Sequence, residues 1–131
     1  MAIQAYSFAE DGDKKVSANF TVREFKCKDG TDPIFISDGL VWIVQSIRDN
    51  FKRPVHINSA YRTPPHNQKE GGAKYSQHLY GKAADIWVEG VSPKEVYEYA
   101  DSLMPNRGGV IRYSNFVHVD DRDSKWREIK G

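Results

Sequence analysis

Cysteine is nearly absent from this sequence: Cys27 stands alone among 131 residues, which excludes a disulfide within the chain. An excess of charge of one sign is also lacking, because 19 basic residues face 18 acidic ones and leave a net charge of +1. This balance offers no electrostatic basis for binding nucleic acid. No apolar run comes near the length of about 18 residues that a membrane helix needs. The sequence therefore predicts neither a nucleic-acid partner nor a membrane partner.

The residues that are present indicate a folded chain. Hydrophobic residues make up 39% of the sequence and aromatic residues 12%, which argues against disorder, and the length suits one domain. We expect a single, monomeric domain over residues 1–131, in which residues 1–19 form an N-terminal arm or an edge strand. Residues 1–11 have neither the basic start nor the apolar centre of a signal peptide, which predicts a chain without its own export signal.

Candidate functional residues are concentrated in one stretch, residues 76–88. Its end, from Ala84 to Val88, has the composition of a strand, and the Asp85 carboxylate on that strand needs a hydrogen-bonding partner or a metal. His78 precedes it, and the strand-like run 116–120 contains His118. Each of these residues alone would suit an ordinary core or turn position. Together, two imidazoles and one carboxylate suit Zn²⁺ with a fourth position left for water, so His78, Asp85 and His118 are the predicted metal ligands.

The spacing of these residues adds a family resemblance. The pattern Ser-x-His-x-x-Gly-x-Ala-x-Asp runs from Ser76 to Asp85, and the run Phe-Val-His-Val-Asp ends at Asp120. The two together resemble the zinc D-Ala-D-Ala carboxypeptidase family, a group that also includes lysostaphin-type endopeptidases and the hedgehog domain. Arg62, in Ser-Ala-Tyr-Arg-Thr, is similar to a family motif upstream of the first ligand. The resemblance covers roughly residues 20–122.

This resemblance implies a zinc metallopeptidase that hydrolyses stem peptides or cross-links of bacterial peptidoglycan, in the manner of a D-Ala-D-Ala carboxypeptidase or of an endolysin. Arg62 would then bind a terminal carboxylate or stabilise an oxyanion; its ordinary alternative is a surface salt bridge. Ser76 would hold the loop or hydrogen-bond the substrate. A wall substrate without an export signal favours cytoplasmic synthesis followed by phage-type release.

The general base is where the sequence departs from the family. Relatives place an acidic or histidine side chain just before the last metal-binding histidine, whereas Asn115, Phe116 and Val117 stand there in this chain. Asp120 is the predicted substitute, as the base or as a group that orients water, because it shares a strand face with His118. The other interpretation is that Asp120 hydrogen-bonds a neighbouring group and tunes the site. The departure also supports a second function, a zinc-stabilised, non-catalytic module that binds wall peptides or a protein partner.

The order of elements predicts an α+β fold, a small and mainly antiparallel sheet with helices on one face and the zinc site on the other. Thr21, Ser37 and Ser92 have the character of helix N-caps. The other two histidines, His56 and His66, are expected in a strand and in a solvent-facing loop, away from the metal. The predicted helices are 22–26, 38–51, a short one opened by Pro64, and 91–103; the predicted strands are 55–59, 84–88, 110–113 and 116–120, followed by a charged tail with Trp126 as an anchor.

Overall fold

The computed structural model describes residues 2–131, and in this range the chain is α+β. The α-helices are α1 (Phe8–Asp11), α2 (Asp38–Phe51), α3 (Pro64–Lys69) and α4 (Pro93–Leu103), and 3-10 helices cover Val22–Phe25 and Gln77–Tyr80. The strands are β1 (Ile3–Ser7), β2 (Lys15–Ser17), β3 (Phe20–Thr21), β4 (Pro33–Ser37), β5 (Val55–Ser59), β6 (Ala83–Val88), β7 (Gly108–Arg112), β8 (Val117–Asp120) and β9 (Lys125–Ile129). The predicted α+β class is confirmed.

The main sheet has five strands in the order β5-β6-β8-β7-β9. Its pairs are antiparallel except β7 with β9, which run parallel. Two further small sheets pair β1 with β4 and β2 with β3. The sheet is therefore mainly antiparallel, as the sequence predicts, and the residues expected to form an arm or edge strand contribute β1 to one small sheet and β2 to the other.

The two faces of the main sheet differ in chemistry because strand side chains alternate. Val117 and Val119 of β8 are buried in the hydrophobic core, where α2 and α4 pack against the sheet. His118 and Asp120 lie between them in sequence and so occupy the opposite face. Helices thus cover one face, and the polar residues of the predicted site share the other.

Helix starts follow the predicted caps. The Ser37 hydroxyl accepts a hydrogen bond from the Gly39 N–H at 3.1 Å, and the Ser92 hydroxyl accepts one from the Glu95 N–H at 3.2 Å. Thr21 donates its N–H to the Glu24 carboxylate at 2.7 Å, but the segment that follows is a 3-10 helix. These contacts satisfy N–H groups that a helix end leaves without a partner.

Three strands were not predicted from the sequence patterns: the two-residue β3, β4 and β9. β4 occupies residues 33–37, for which no element was predicted, and β9 occupies most of the tail that was expected to be charged. β9 lies at the edge of the sheet, and Trp126 and Ile129 are exposed, so no buried apolar alternation marks it as a strand. Within residues 2–131, no helix combines the length and apolar character required to cross a membrane.

Candidate metal centre

Strand register brings two of the three predicted ligands together. β6 and β8 are antiparallel neighbours, and Asp85 lies directly opposite His118, so both side chains project from the same face at close range. His78 comes from the 3-10 helix Gln77–Tyr80. The hydroxyl of Ser76 accepts a hydrogen bond from the His78 N–H at 3.2 Å and caps this short helix.

The short helix that carries His78 is anchored at its other end by Gly81. This residue has φ +71°, a left-handed conformation that glycine adopts without steric cost. A Cβ there would collide with the carbonyl oxygen of Phe35. Ser37 also donates its N–H to the Gly81 carbonyl at 2.8 Å. The unpredicted strand β4 therefore fixes the position of a predicted ligand.

The geometry of the three side chains fits a single metal ion. His78 Nε2 lies 3.3 Å from Asp85 Oδ1, and His118 Nδ1 lies 3.2 Å from the same oxygen. The three ligand atoms lie within 4.8 Å of one another, and all three residues are buried. A tetrahedral zinc with ligands at about 2.0–2.2 Å separates them by roughly 3.3–3.6 Å. The residues therefore suit Zn²⁺ in ligand type and in spacing.

Each imidazole is oriented by a hydrogen bond on the nitrogen that faces away from the three-residue group. His78 Nδ1 lies 2.7 Å from the carbonyl oxygen of Ala60, which can only accept, so Nδ1 carries a proton and Nε2 is the nitrogen that can offer a lone pair to a metal. His118 Nε2 lies 2.7 Å from Asp120 Oδ2, which leaves Nδ1 to face Asp85. Such partners fix the tautomer and the ring orientation of metal-binding histidines.

Asp120 lies behind His118 and does not line the cavity in front of it. Its exposure is 0%, and its Oδ1 accepts hydrogen bonds from the Gly109 N–H at 2.9 Å and the Arg122 N–H at 3.0 Å. The Arg122 guanidinium donates to both of its oxygens. This placement differs from the expectation that Asp120 flanks the attacking water, and it favours the interpretation that Asp120 tunes the site through His118.

Neighbouring charged groups shift the pKa values of Asp85, Asp120 and His118. Burial raises the pKa of Asp85, but hydrogen bonds from His118 and His78 outweigh it and hold that pKa well below its usual range. The pKa of Asp120 is lowered in the same way by His118 and Arg122, against burial. Burial lowers the pKa of His118, but the carboxylates of Asp120 and Asp85 raise it above its ordinary value. The two carboxylates therefore favour the protonated form of the His118 imidazole.

We expect zinc binding near pH 6.5 to release a proton from His118, because its raised pKa favours the protonated form there and the metal binds the neutral imidazole. The pKa of His118 is raised on folding, so its stabilising effect on the metal-free protein is complete below about pH 6.5 and is lost as the pH rises through the raised value. Zinc titrations by calorimetry, in two buffers that differ in ionisation enthalpy, measure the release. Identical heats in both buffers would contradict it.

The three residues open onto a cavity of about 370 Å³. Arg62 and Ser76 line this cavity, and a further wall contains Trp126 and Glu128 of β9 with Lys130 just after it. Ser76 thus combines a helix cap with a place in the cavity. Arg122 also lines the cavity. Sequence reasoning missed this wall, although the period-two spacing of residues 126, 128 and 130 was a signal of one strand face.

Arg62 is fixed beside the centre by three hydrogen bonds. Its Nε donates to Ser59 Oγ at 3.1 Å, its Nη1 to Asn67 Oδ1 at 3.3 Å, and its Nη2 to Asp85 Oδ2 at 3.3 Å. The side chain is only 13% exposed. It is therefore neither a surface salt bridge nor a loosely held cation, but a partly buried charge in contact with a predicted ligand.

The remaining histidines lie outside this group. His56 Nε2 is 2.5 Å from Glu89 Oε2, and its ring stacks on Trp87. His66 was expected in a solvent-facing loop, but it belongs to α3, and its side chain is only 9% exposed and lies 3.2 Å from Glu70. This difference arises because the loop forms a helical turn that places residues 66 and 70 on one face.

A buried set of three ligand residues at an open cavity is the arrangement of a catalytic metal centre, since structural zinc sites use four protein ligands. Comparison with known proteins agrees: the model of the Peptidase M15 family matches residues 15–120. The chain belongs to the Peptidase M15 family, which confirms the resemblance found in the sequence.

Individual relatives match a smaller part of the chain. Peptidoglycan L,D-endopeptidase MepK of Escherichia coli (strain K12) is 34% identical over 74 residues, which cover 53% of this chain and 41% of that protein. Probable peptidoglycan L,D-endopeptidase MepK of Haemophilus influenzae is 37% identical over 71 residues, which cover 50% and 38%. The chain thus spans about two fifths of the length of the curated relatives it matches.

Proposed function

We propose that this chain is a zinc-dependent peptidase that hydrolyses peptide bonds in bacterial peptidoglycan. The observation that carries the proposal is the buried group of His78, Asp85 and His118 at the base of an open cavity. Membership of the Peptidase M15 family supports the reaction class. The names of the relatives support the substrate class.

An endopeptidase is favoured over a carboxypeptidase. The sequence resemblance alone left open a D-Ala-D-Ala carboxypeptidase-like and an endolysin-like activity, but the relatives are named as L,D-endopeptidases. Cleavage inside a stem peptide or a cross-link is therefore our preferred reaction. Removal of a terminal D-alanine stays a prediction, as do the monomeric state, the single domain and the route from cytoplasmic synthesis to the wall.

The residues of the metal centre have separate roles in the proposed reaction. His78, Asp85 and His118 would hold the metal, which when bound supplies Lewis-acid activation of water and of the substrate carbonyl. The Ala60 carbonyl and Asp120 hold the two imidazoles in the tautomers this requires. Arg62 sets a positive charge against Asp85 at the edge of the cavity. That position suits stabilisation of negative charge as it develops on the carbonyl oxygen.

The lack of an evident general base beside the metal centre, in the part of the chain that the structure describes, favours a second function. Asn115 and Phe116 cannot accept a proton, and Asp120 is shielded behind His118. Glu128 is the one carboxylate besides Asp85 among the cavity residues in the described part of the chain, but two strand spacings place its backbone roughly 10 Å from that of His118. A non-catalytic module that binds wall peptides or a protein partner is therefore the alternative.

Digestion of purified peptidoglycan separates the two functions. We expect new free amino groups and shortened muropeptides with the zinc-loaded protein, no products after treatment with a chelator, and recovery when zinc is restored. Chromatography of the products with mass analysis identifies the bond that is cleaved. Binding of wall material without any cleavage product would support the non-catalytic module instead.

A further inference from the structure

We propose that Arg122, with Trp126 beside it, forms a subsite that binds a free carboxylate of the peptide substrate. Both residues line the same cavity as the metal centre; Arg122 precedes β9, and Trp126 belongs to it. The subsite rests on the proposed function, because it assigns a chemical group of the substrate to a place in the same cavity. It would make Arg122 a specificity-determining residue.

The first argument is that Arg122 is held rigidly. Its Nε donates to Asp120 Oδ1 at 2.9 Å, and its Nη2 donates to Asp120 Oδ2 at 2.6 Å. Asp120 is itself fixed by the Gly109 N–H at 2.9 Å. An arginine held in this bidentate way loses little further side-chain freedom when a ligand binds. Arg122 is therefore organised for binding before the substrate arrives.

The second argument is that one edge of the guanidinium is still available. Among residues 2–131, Nη1 of Arg122 has no hydrogen-bonding partner in the protein. The side chain is 23% exposed and lines the cavity. Arg62 differs, because each of its three nitrogens already donates to a protein oxygen. Of the two arginines, Arg122 is the one with a terminal nitrogen that has both of its N–H groups uncommitted to any described residue, whereas each terminal nitrogen of Arg62 keeps one.

The third argument concerns the surroundings of that edge. The Arg122 guanidinium lies 5.9 Å from the centre of the Trp126 ring, and this indole is 48% exposed. A peptide that covers the indole would exclude water from the guanidinium, and an ion pair is stronger where water is excluded. Lys130, which also lines the cavity, lies 3.5 Å from Glu128 and offsets its charge.

These features select a carboxylate as the ligand. A guanidinium edge matches the planar, negatively charged carboxylate in shape and in charge, whereas a neutral carboxamide would gain only an ordinary hydrogen bond. Stem peptides of peptidoglycan offer carboxylates at the D-glutamyl residue and at the C-terminus. The subsite would therefore distinguish a peptide that carries such a group from the same peptide with that group amidated.

Four forms of one peptide test the subsite. L-Ala-γ-D-Glu-L-Lys-D-Ala-D-Ala is prepared with both carboxylates free, with either one amidated, and with both amidated, and kcat/KM is measured with the zinc-loaded chain. We expect amidation of one carboxylate to lower kcat/KM by about 10–100-fold, mainly through KM. Arg122→Gln should reduce the acid-to-amide ratio to near one, and Arg122→Lys should give an intermediate ratio.

The variants separate binding from a structural role. If Arg122 only held Asp120 and His118, Arg122→Gln would slow all four peptides equally and leave the ratio unchanged, which would overturn the proposal. Lys130→Gln removes a positive charge from the same cavity and should keep the wild-type ratio. Zinc content and thermal unfolding are measured for every variant. Where Arg122→Gln does not fold, the Arg122→Lys ratio decides.

A second readout makes failure of the subsite distinguishable from failure of the proposed function. If no peptide is cleaved, the proposed function fails for this substrate, and the indole N–H signals of the ¹⁵N-labelled protein then test the subsite alone. A free-acid peptide should shift the signal of Trp126 and leave those of Trp42 and Trp87 unchanged. No shift of Trp126, or an equal shift with the fully amidated peptide, would overturn the subsite.

Discussion

Replacement of His118 by alanine is expected to abolish stoichiometric zinc binding and, with it, peptide hydrolysis. His118 supplies one of three predicted ligands and pairs directly with Asp85 across the sheet. Loss of a residue that merely supports a ligand already lowers metal affinity by about 10–100-fold, and loss of the ligand itself should cost more. Metal analysis after dialysis should give near one equivalent for the wild type and far less for His118→Ala.

The matched control is His56→Ala. It also removes an imidazole paired with a carboxylate, Glu89, but it lies outside the metal centre. Its zinc content should equal that of the wild type. Circular dichroism checks that both variants fold, because His118→Ala also removes a histidine partner from two buried carboxylates, Asp85 and Asp120. Unchanged zinc content in a folded His118→Ala protein would exclude His118 as a ligand.

The second large effect is expected from Asp120→Asn. Both oxygens of Asp120 accept hydrogen bonds, Oδ1 from Gly109 and Arg122, and Oδ2 from His118 and Arg122. In either orientation of the asparagine amide, its NH₂ group faces hydrogen-bond donors. The neutral side chain also leaves the charge of Arg122 without its ionic partner. Loss of one member of a buried ion pair costs about 3–5 kcal/mol. Zinc affinity should fall by about 10–100-fold, because the His118 ring loses its orienting partner.

The same variant distinguishes a positioning residue from a general base. If Asp120 positions His118, activity should rise again as the zinc concentration is raised to saturation. If Asp120 is the base, activity should remain about 10²–10⁴-fold low even with the metal site saturated. Asp121→Asn is the control, because Asp121 is a buried carboxylate bound to Ser37 and Arg107; it should lower stability without changing zinc affinity.

The features that the sequence predicts best are local. Ser37 and Ser92 cap helices because a hydroxyl reaches an N–H two or three residues further on, and that geometry needs no knowledge of the rest of the fold. The relation between Asp120 and His118 also has a local origin. Strand alternation puts His118 and Asp120 on the same face, whatever the sheet order.

The features that the sequence does not predict depend on pairing between distant segments. β4 pairs with β1 and also holds Gly81 near His78, and β9 joins the sheet only through parallel pairing with β7. The placement of Asp120 behind the imidazole is missed for a different reason. Alternation shows that Asp120 shares a face with His118, but not that the imidazole ring would stand between Asp120 and Asp85.

The position of β8 between β7 and β6 has a consequence for the rate of folding. β8 reaches β7 through a short connection, but reaches β6 only across α4 and β7. Loop-closure entropy grows with the length of chain enclosed, and hairpins form in about 1–10 μs. The hairpin of β7 and β8 should therefore form first. Asp85 comes next to His118 only when β6 pairs with this hairpin. Zinc should therefore bind late in folding, after the sheet has assembled, and should not nucleate folding.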